Sequence, residues 1–321
     1  MISTLVMLTF AVLSTPMRTD TTFTVKPGTR LELNNFAGSI TVRTWTKNAV
    51  RVEADHSSRA RVEVEQSGPT LGIKIVHWRG IPVTVDYELT VPRWMALELG
   101  GVNTDISVEN TDGEINVQSV QGEITVTGGT KLVTANSVEG EVRVSHASGK
   151  VECNSVNSSV HVEATNGQVL ASSVNGEIVL KGIDSDDVEA GTVSGEVTYD
   201  GVIKEGGSYR FSSHNGDISI AVPDRANATV SVATYSGEFT SAFPVRLDET
   251  RRGKRFNFTL GNGSARIELE SFQGEIRLRR PGDPGSKHDF EYRYDYEKSK
   301  EHAKSKDKHP KGDENDEDKE L

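Results

Sequence analysis

Four glutamates recur at one position of a repeated phrase, and they are the side chains whose type and spacing could do chemistry. Glu123, Glu141, Glu177 and Glu196 each follow a glycine, and Ser159 interrupts the series. Carboxylates stacked along one face could attract cations or a basic partner. The favoured interpretation is a solvated row whose like charges discourage association between sheets.

The second acidic cluster is Asp184-Ser-Asp186-Asp187, whose oxygen atoms are of the kind that hard cations bind. It falls where the repeat lengthens by one residue, which favours a solvated turn over a metal site. Cys153 has no second cysteine to pair with and takes an apolar position, so we expect a buried thiol. His161 takes an outward strand position and has no metal-ligand spacing to another histidine.

No pattern in the chain indicates catalysis. Nucleophile elbows, phosphate loops and dinucleotide fingerprints are absent from any strand-to-helix setting. Parallel β-helices that cleave polysaccharides present clustered carboxylates on long loops, whereas the linkers over residues 104–180 are short. We predict no catalytic, cofactor-binding or metal-binding residues and a protein that is not an enzyme. The net charge of −11 also argues against nucleic acid as a partner.

A short phrase that positions these residues recurs between residues 104 and 199. It reads glycine, polar, Ile or Val, polar and a second apolar residue, as in Gly122–Val126 and Gly140–Val144. Copies start at residues 104, 113, 122, 131, 140, 149, 158, 167, 176, 186 and 195, so every step is nine residues except one of ten. Strict alternation predicts short strands whose third and fifth side chains share one face.

Alternate linkers match one another, which doubles the repeating unit to about 18 residues. The matching linkers are Gln118-Ser-Val120, Asn136-Ser-Val138, Asn154-Ser-Val156, Ser172-Ser-Val174 and Gly191-Thr-Val193. A hairpin meander has no reason to repeat at every second turn, whereas a solenoid stacks like positions at about 4.8 Å. The sequence therefore predicts an all-β, single-stranded parallel β-helix, right-handed, with about 18–21 residues per coil.

Each column of this solenoid has an expected role. Val142 and Ile178 should point into a narrow apolar core, Arg143 should point out, and the valine of every Ser-Val pair should also fill the core. Stacked Asn and Ser side chains should hydrogen-bond along the ladder or cap backbone groups of the turns. The glycine before each strand should supply a positive φ or a crowded corner.

The repeat loosens on both sides but continues, so residues 20–280 are interpreted as one β-solenoid domain with its regular part over 104–199. After Gly195 the step lengthens to 21 residues, at Gly216 and Gly237, which predicts wider late coils. Residues 1–19 are interpreted as a leader, because their apolar run is typical of the apolar region of a secretory signal peptide.

Residues 281–321 form a charged tail that we expect to be disordered. Four aromatic residues alternate within it and offer the other interpretation, a short final strand that caps the solenoid. These are Phe290, Tyr292, Tyr294 and Tyr296.

The phrase Asn-Ser-Val-x-Gly-Glu-Ile/Val-x-Val resembles the bacterial putative adhesin family of β-strand-repeat proteins, a domain of unknown function. The likeness covers roughly residues 30–280. It implies an exported right-handed β-helix of the cell envelope, and it offers no catalytic residues to carry over.

These observations predict a non-enzymatic, exported envelope or surface protein, in the periplasm, at the cell surface or outside the cell. It would act as an adhesin or scaffold that binds a macromolecular partner, protein or polysaccharide, through a solenoid face. No segment has the ~18 uninterrupted apolar residues of a transmembrane span. The alternative is a carbohydrate-binding or carbohydrate-cleaving β-helix.

Overall fold

A computed structural model describes residues 16–58, 60–77, 83–244 and 254–283. These ranges contain strands and turns and no helix, and their 24 strands join in one continuous sheet, which confirms the all-β prediction. The first twelve strands are β1 (Pro16–Thr24), β2 (Arg30–Trp45), β3 (Ala49–Ser57), β4 (Ala60–Ser67), β5 (Thr70–His77), β6 (Thr84–Pro92), β7 (Ala96–Thr111), β8 (Ile115–Ser119), β9 (Ile124–Gly128), β10 (Leu132–Ser137), β11 (Val142–Ser145) and β12 (Ser148–Asn154). The remaining strands are β13 (Val160–Glu163), β14 (Asn166–Ser172), β15 (Ile178–Ile183), β16 (Asp187–Thr192), β17 (Val197–Gly201), β18 (Ser208–Ser213), β19 (Ile218–Ala221), β20 (Ala228–Thr234), β21 (Phe239–Ser241), β22 (Lys254–Leu260), β23 (Ala265–Ser271) and β24 (Ile276–Arg279).

In the regular region each strand pairs in parallel with the strand two places along the chain. A solenoid requires this pairing, whereas a meander would pair consecutive strands in antiparallel fashion. Strand β10 lies between β8 and β12, and β11 lies between β9 and β13. Asn154 therefore lies directly beside Asn136, 18 residues earlier in the chain. Further along the advance is longer, since Val188 pairs with Tyr209. The handedness of the coil stays a prediction.

The coils form two layers that enclose one apolar core. The first layer runs, in spatial order, β4, β5, β2, β7, β8, β10, β12, β14, β16, β18, β23, β20 and β22. The second layer runs β1, β3, β6, β2, β7, β9, β11, β13, β15, β17, β19, β24 and β21. The 16-residue strands β2 and β7 bend from one layer into the other, which makes the sheet continuous.

The core follows the predicted alternation. Val142 and Ile178 are fully buried and Arg143 is exposed, which confirms the inward and outward register of these strands. Cys153 is also fully buried, as predicted, and burial raises the pKa of its thiol to about 12. Apolar side chains from Val25 to Leu278 form one continuous cluster.

The last coils do not stack in chain order, so Gly237 does not lie directly against Gly216 although the two are 21 residues apart. The coil of β23 and β24 lies between the coil of β18 and β19 and that of β20 and β21. Accordingly Gly237 lies against the carbonyl of Gly274, and Gly274 lies against that of Gly216. The physical reason is closure, because the inserted coil is paired on both sides while β22 covers β20 as an antiparallel neighbour.

The opposite end of the solenoid is closed in the same way, by a coil that stacks out of chain order. Strand β2 lies between β7 and the later coil of β5 and β6, and antiparallel strands β1, β3 and β4 cover the end. Residues 16–19 of the predicted leader therefore lie in β1, and residues 281–283 of the predicted tail lie in a turn after β24. The rest of the leader and of the tail, with Phe290 to Tyr296, lies outside the described residues.

Candidate interaction surface

A serine or threonine hydroxyl holds the corners where the chain passes from the first layer to the second. Ser137 Oγ accepts a hydrogen bond from the Gly140 amide at 3.0 Å and donates one to the Gly122 carbonyl of the preceding coil at 3.1 Å. The same pair of bonds recurs at Ser119, Ser155, Ser173 and Ser271. A Cβ at Gly140 would collide with the Gly122 carbonyl oxygen. Glycine is therefore required there for close approach rather than for a positive φ.

The valines after Ser119, Ser137, Ser155 and Ser173 point into solvent, so their predicted place in the core is wrong. Val138 is 39 % exposed and Val156 is 38 % exposed. The physical reason is the corner serine, because its hydroxyl must reach backbone groups inside the coil. Successive side chains of an extended chain point to opposite faces, so the next residue turns outward.

The exposed valines form one column along the solenoid, which we call the apolar ridge. Backbone bonds set its register, since the amide that follows Val138 donates to the Val120 carbonyl, and this link repeats coil after coil. The ridge comprises Phe36, Val102, Val120, Val138, Val156, Val174, Val193, His214, Phe272 and Tyr235, in spatial order.

Aromatic rings form one end of the apolar ridge. The rings of His214 and Phe272 lie 4.7 Å apart and almost parallel, and those of Phe272 and Tyr235 lie 4.8 Å apart. The rings cover one another's faces, so their edges face outward. Our sequence reasoning missed them, although the pattern Ser/Thr-x-x-Gly around each ring matches that of the valine corners.

A cleft of about 440 Å³ opens beside the aromatic end of the ridge. The three rings line one side, and Ser212, Ala233, Arg255 and Glu270 contribute to the rest. Ser212 on β18 and Ala233 on β20 are short side chains on either side of β23, which carries Glu270 between them. The cleft thus combines apolar ring edges with one carboxylate and one guanidinium group.

An uncharged row, which we call the amide row, flanks the ridge at the ends of the first-layer strands. It contains Gln118, Asn136, Asn154 and Ser172. Asn154 Nδ2 donates to Asn136 Oδ1 at 2.7 Å, and the Ser172 hydroxyl donates to Asn154. The predicted hydrogen bonding along the Asn and Ser ladder is therefore confirmed.

An acidic row flanks the ridge on its other side, at the start of the second-layer strands. The structure brings all four predicted glutamates into this row, which comprises Asp105, Glu123, Glu141, Glu177, Glu196 and Asp217. Glu141 contacts Arg143 at 2.7 Å and the outward His161 at 2.9 Å. Burial lowers the pKa of His161 in spite of this carboxylate.

Glu196 lies in the most acidic stretch of the row. Burial, with Asp217 and Glu177 as nearby like charges, raises its pKa to about 7. In the second predicted acidic cluster, Asp184 contacts Lys204 at 2.8 Å and Asp187 accepts a hydrogen bond from Gln168. Within the described ranges no three His, Cys, Asp or Glu side chains are grouped as metal ligands.

Fold and surface together define a two-layered, largely parallel β-solenoid with an apolar ridge at one corner. Residues 168–279 match the model of a family described as Toastrack DUF4097, which confirms the resemblance drawn from the repeated phrase. No curated protein matches the chain. The described residues include no helix with the length and hydropathy of a membrane span.

Several solved structures are similar in outline. A putative adhesin from Parabacteroides distasonis is 11 % identical, with a TM-score of 0.48 over 82 % of this chain and 97 % of that one. A putative adhesin from Parabacteroides merdae is 9 % identical, with a TM-score of 0.46 over 82 % and 96 %. A putative lipid binding protein from Parabacteroides distasonis is 14 % identical, with a TM-score of 0.35 over 83 % and 97 %.

Proposed function

We propose that the protein is a non-enzymatic, exported surface or envelope protein that binds a macromolecular partner along its solenoid. The observation that carries this proposal is the apolar ridge. Its valines are 38–46 % exposed and Tyr235 is 65 % exposed, in one unbroken column. The exposed apolar area is on the order of 600 Å², at the upper end of the ~300–600 Å² found for the largest patches of soluble monomers.

The shape of the ridge indicates the kind of partner. It extends as one column over ten successive coils or coil ends. A small ligand would contact two or three rungs at most, whereas a macromolecule can follow the whole column. The partner is therefore a protein or polysaccharide chain, or an envelope surface built from them.

Binding of the labelled, full-length protein to isolated cell envelopes tests the proposal. The double variant Val138→Asp with Val156→Asp places two charges on the ridge and should weaken binding at least tenfold. Val202→Asp is the matched control, because Val202 is 48 % exposed but lies off the ridge. Unchanged binding by the ridge variant, with an unaltered β-type circular dichroism spectrum, would overturn the proposal.

Export is part of the same proposal and has its own test. It rests on the apolar leader and on the family resemblance, and it requires that the chain leave the cytoplasm. Cell fractionation with determination of the mature N-terminus measures both. Recovery of the intact chain, starting at Met1, from the cytoplasm would contradict it.

The cleft favours a second candidate function, carbohydrate binding or cleavage. Polar groups that converge beside apolar ring edges are typical of small-ligand sites, and Arg255 and Glu270 supply them here. A panel of bacterial and plant polysaccharides tests it with two readouts, retention on the immobilised glycan and release of reducing ends. Cleavage that Glu270→Gln abolishes would establish the carbohydrate enzyme and overturn the non-enzymatic proposal.

A further inference from the structure

The apolar ridge separates two surfaces of different charge. The amide row on its first-layer side is uncharged, whereas the acidic row on its second-layer side carries a carboxylate in almost every coil. The residues directly between the ridge and the acidic row are mostly uncharged as well, with Gln121, Asn157 and Asn175 beside the single carboxylate Glu139. The ridge is thus an uncharged strip on a protein with a net charge of −11.

We propose that the apolar ridge binds the ridge of a second copy of this chain, in a symmetric dimer of parallel solenoids. The twofold axis runs along the solenoids, so each rung of one ridge meets the same rung of the other. This inference rests on the proposed function and names its partner.

The distribution of charge selects the parallel arrangement. A twofold axis along the solenoids exchanges the two flanks, so the acidic row of one copy faces the uncharged amide row of the other. An antiparallel pair that overlaps the whole ridge would instead place the two acidic rows on the same side, with carboxylates of Glu141 and Glu196 near one another. Like charges that face each other across an interface oppose association, whereas carboxylates opposite amides do not.

The repeat and the area of the ridge fit a second copy. Both solenoids advance by the same strand spacing of about 4.8 Å, so all rungs match at once when one rung matches. The ridge contributes on the order of 600 Å² of apolar area, and the flanking uncharged rows bring each side near the ~800 Å² of a standard interface. A partner without this spacing would leave part of the column uncovered.

Variants of the full chain with one added cysteine test the arrangement under mild oxidation. The one native thiol, Cys153, is fully buried, so the parent protein supplies no reactive cysteine. Val138→Cys and Val193→Cys should each form disulfide-linked dimers alone, because equivalent rungs meet. Val202→Cys, off the ridge, should not. Cross-linking only in a mixture of the first two variants would show antiparallel packing and overturn the proposal.

Sedimentation equilibrium gives the independent measurement of mass. The parent chain and the Val202→Asp control should be dimers, and Val138→Asp should dissociate with at least a tenfold higher Kd. A parent chain that stays monomeric at 100 μM overturns the dimer. If the parent chain is a monomer and its ridge variants still lose envelope binding, the proposed function holds although the dimer is refuted. The two proposals can therefore fail independently.

Discussion

Replacing Ser137 by alanine tests whether the corner hydroxyls hold the coils together. The change removes the acceptor for the Gly140 amide and the donor to the Gly122 carbonyl, at a side chain that is 5 % exposed. A buried backbone group left without a partner costs about 1–3 kcal/mol, and the small cavity adds little. We expect Ser137→Ala to lower the free energy of unfolding by about 2–3 kcal/mol.

Urea unfolding monitored by circular dichroism measures this loss, and hydrogen exchange at the Gly140 amide localises it. Ser137→Thr is the matched control, because threonine occupies the same column elsewhere: Thr192 donates to the Gly176 carbonyl, and Thr234 accepts from the Gly237 amide. Threonine should change the free energy of unfolding by less than about 1 kcal/mol. If alanine is silent, or if threonine costs as much as alanine, the hydroxyl does not stabilise the corner.

The remaining predictions concern the core, a glycine corner and the acidic row. Val142→Asp should unfold the central coils in thermal melts, since it buries an unpaired charge, whereas the outward Arg143→Ser should change stability by no more than about 0.5 kcal/mol. Gly140→Ala should cost about 2 kcal/mol or more in urea unfolding, because its Cβ meets backbone, and Gly72→Ala, whose Cβ has ordinary contacts, should cost far less. The pKa of the Glu196 carboxyl is raised to about 7 in the folded protein. Between about pH 4.5 and 7 the folded protein therefore holds a proton that the unfolded chain has lost, so the free energy of unfolding falls as pH rises through this range. Glu196→Gln should therefore stabilise the protein at pH 8 by about 1–2 kcal/mol, after allowance for solvent exposure, and not at pH 4; an equal gain at both pH values would contradict this.

The nine-residue phrase and its doubling predicted most of the fold. Alternation within each phrase fixed which side chains point inward, as the buried Val142 and the exposed Arg143 show. Matching alternate linkers predicted parallel stacking, because equivalent residues such as Asn136 and Asn154 then lie beside each other. Both inferences work because a solenoid places every copy of a residue in the same surroundings.

The order of the end coils could not be predicted from the same pattern. A copy of the strand phrase occurs at β21 and at β24, and the copy at β21 ends in Ser241 rather than an apolar residue, but neither copy indicates which coil stacks on β19. The answer depends on closure of an open edge, a property of the whole sheet. Insertion of the later coil gives it neighbours on both sides, and this becomes visible only in three dimensions.

The apolar ridge could not be predicted from periodicity and hydrophobicity alone, because the hydrogen bonds of the corner decide which side chains point inward. Valine in a repeated Ser-Val pair was assigned to the core by hydrophobicity, yet strand alternation allows only one of the two residues to point inward. The backbone groups of the glycine corner decide which one, because they need the hydroxyl. The sequence held this signal in the three-residue spacing from the hydroxyl residue to glycine, as from Ser119 to Gly122 and from Ser271 to Gly274, although Ser158 takes the place of glycine after Ser155.

The turn geometry of the corner does not by itself require the apolar side chains of the ridge. The following column occupies the same turns and is just as exposed, and it contains Gln121, Glu139, Asn157 and Asn175. Turn geometry therefore tolerates polar side chains at exposed corner positions. A preference for β-branched residues would be met equally by threonine, which the chain does use at other exposed strand positions. Valine at five successive corners, continued by aromatic rings, instead keeps one uninterrupted apolar column in contact with water. Burial of that column against a partner is the physical advantage that the fold alone does not supply.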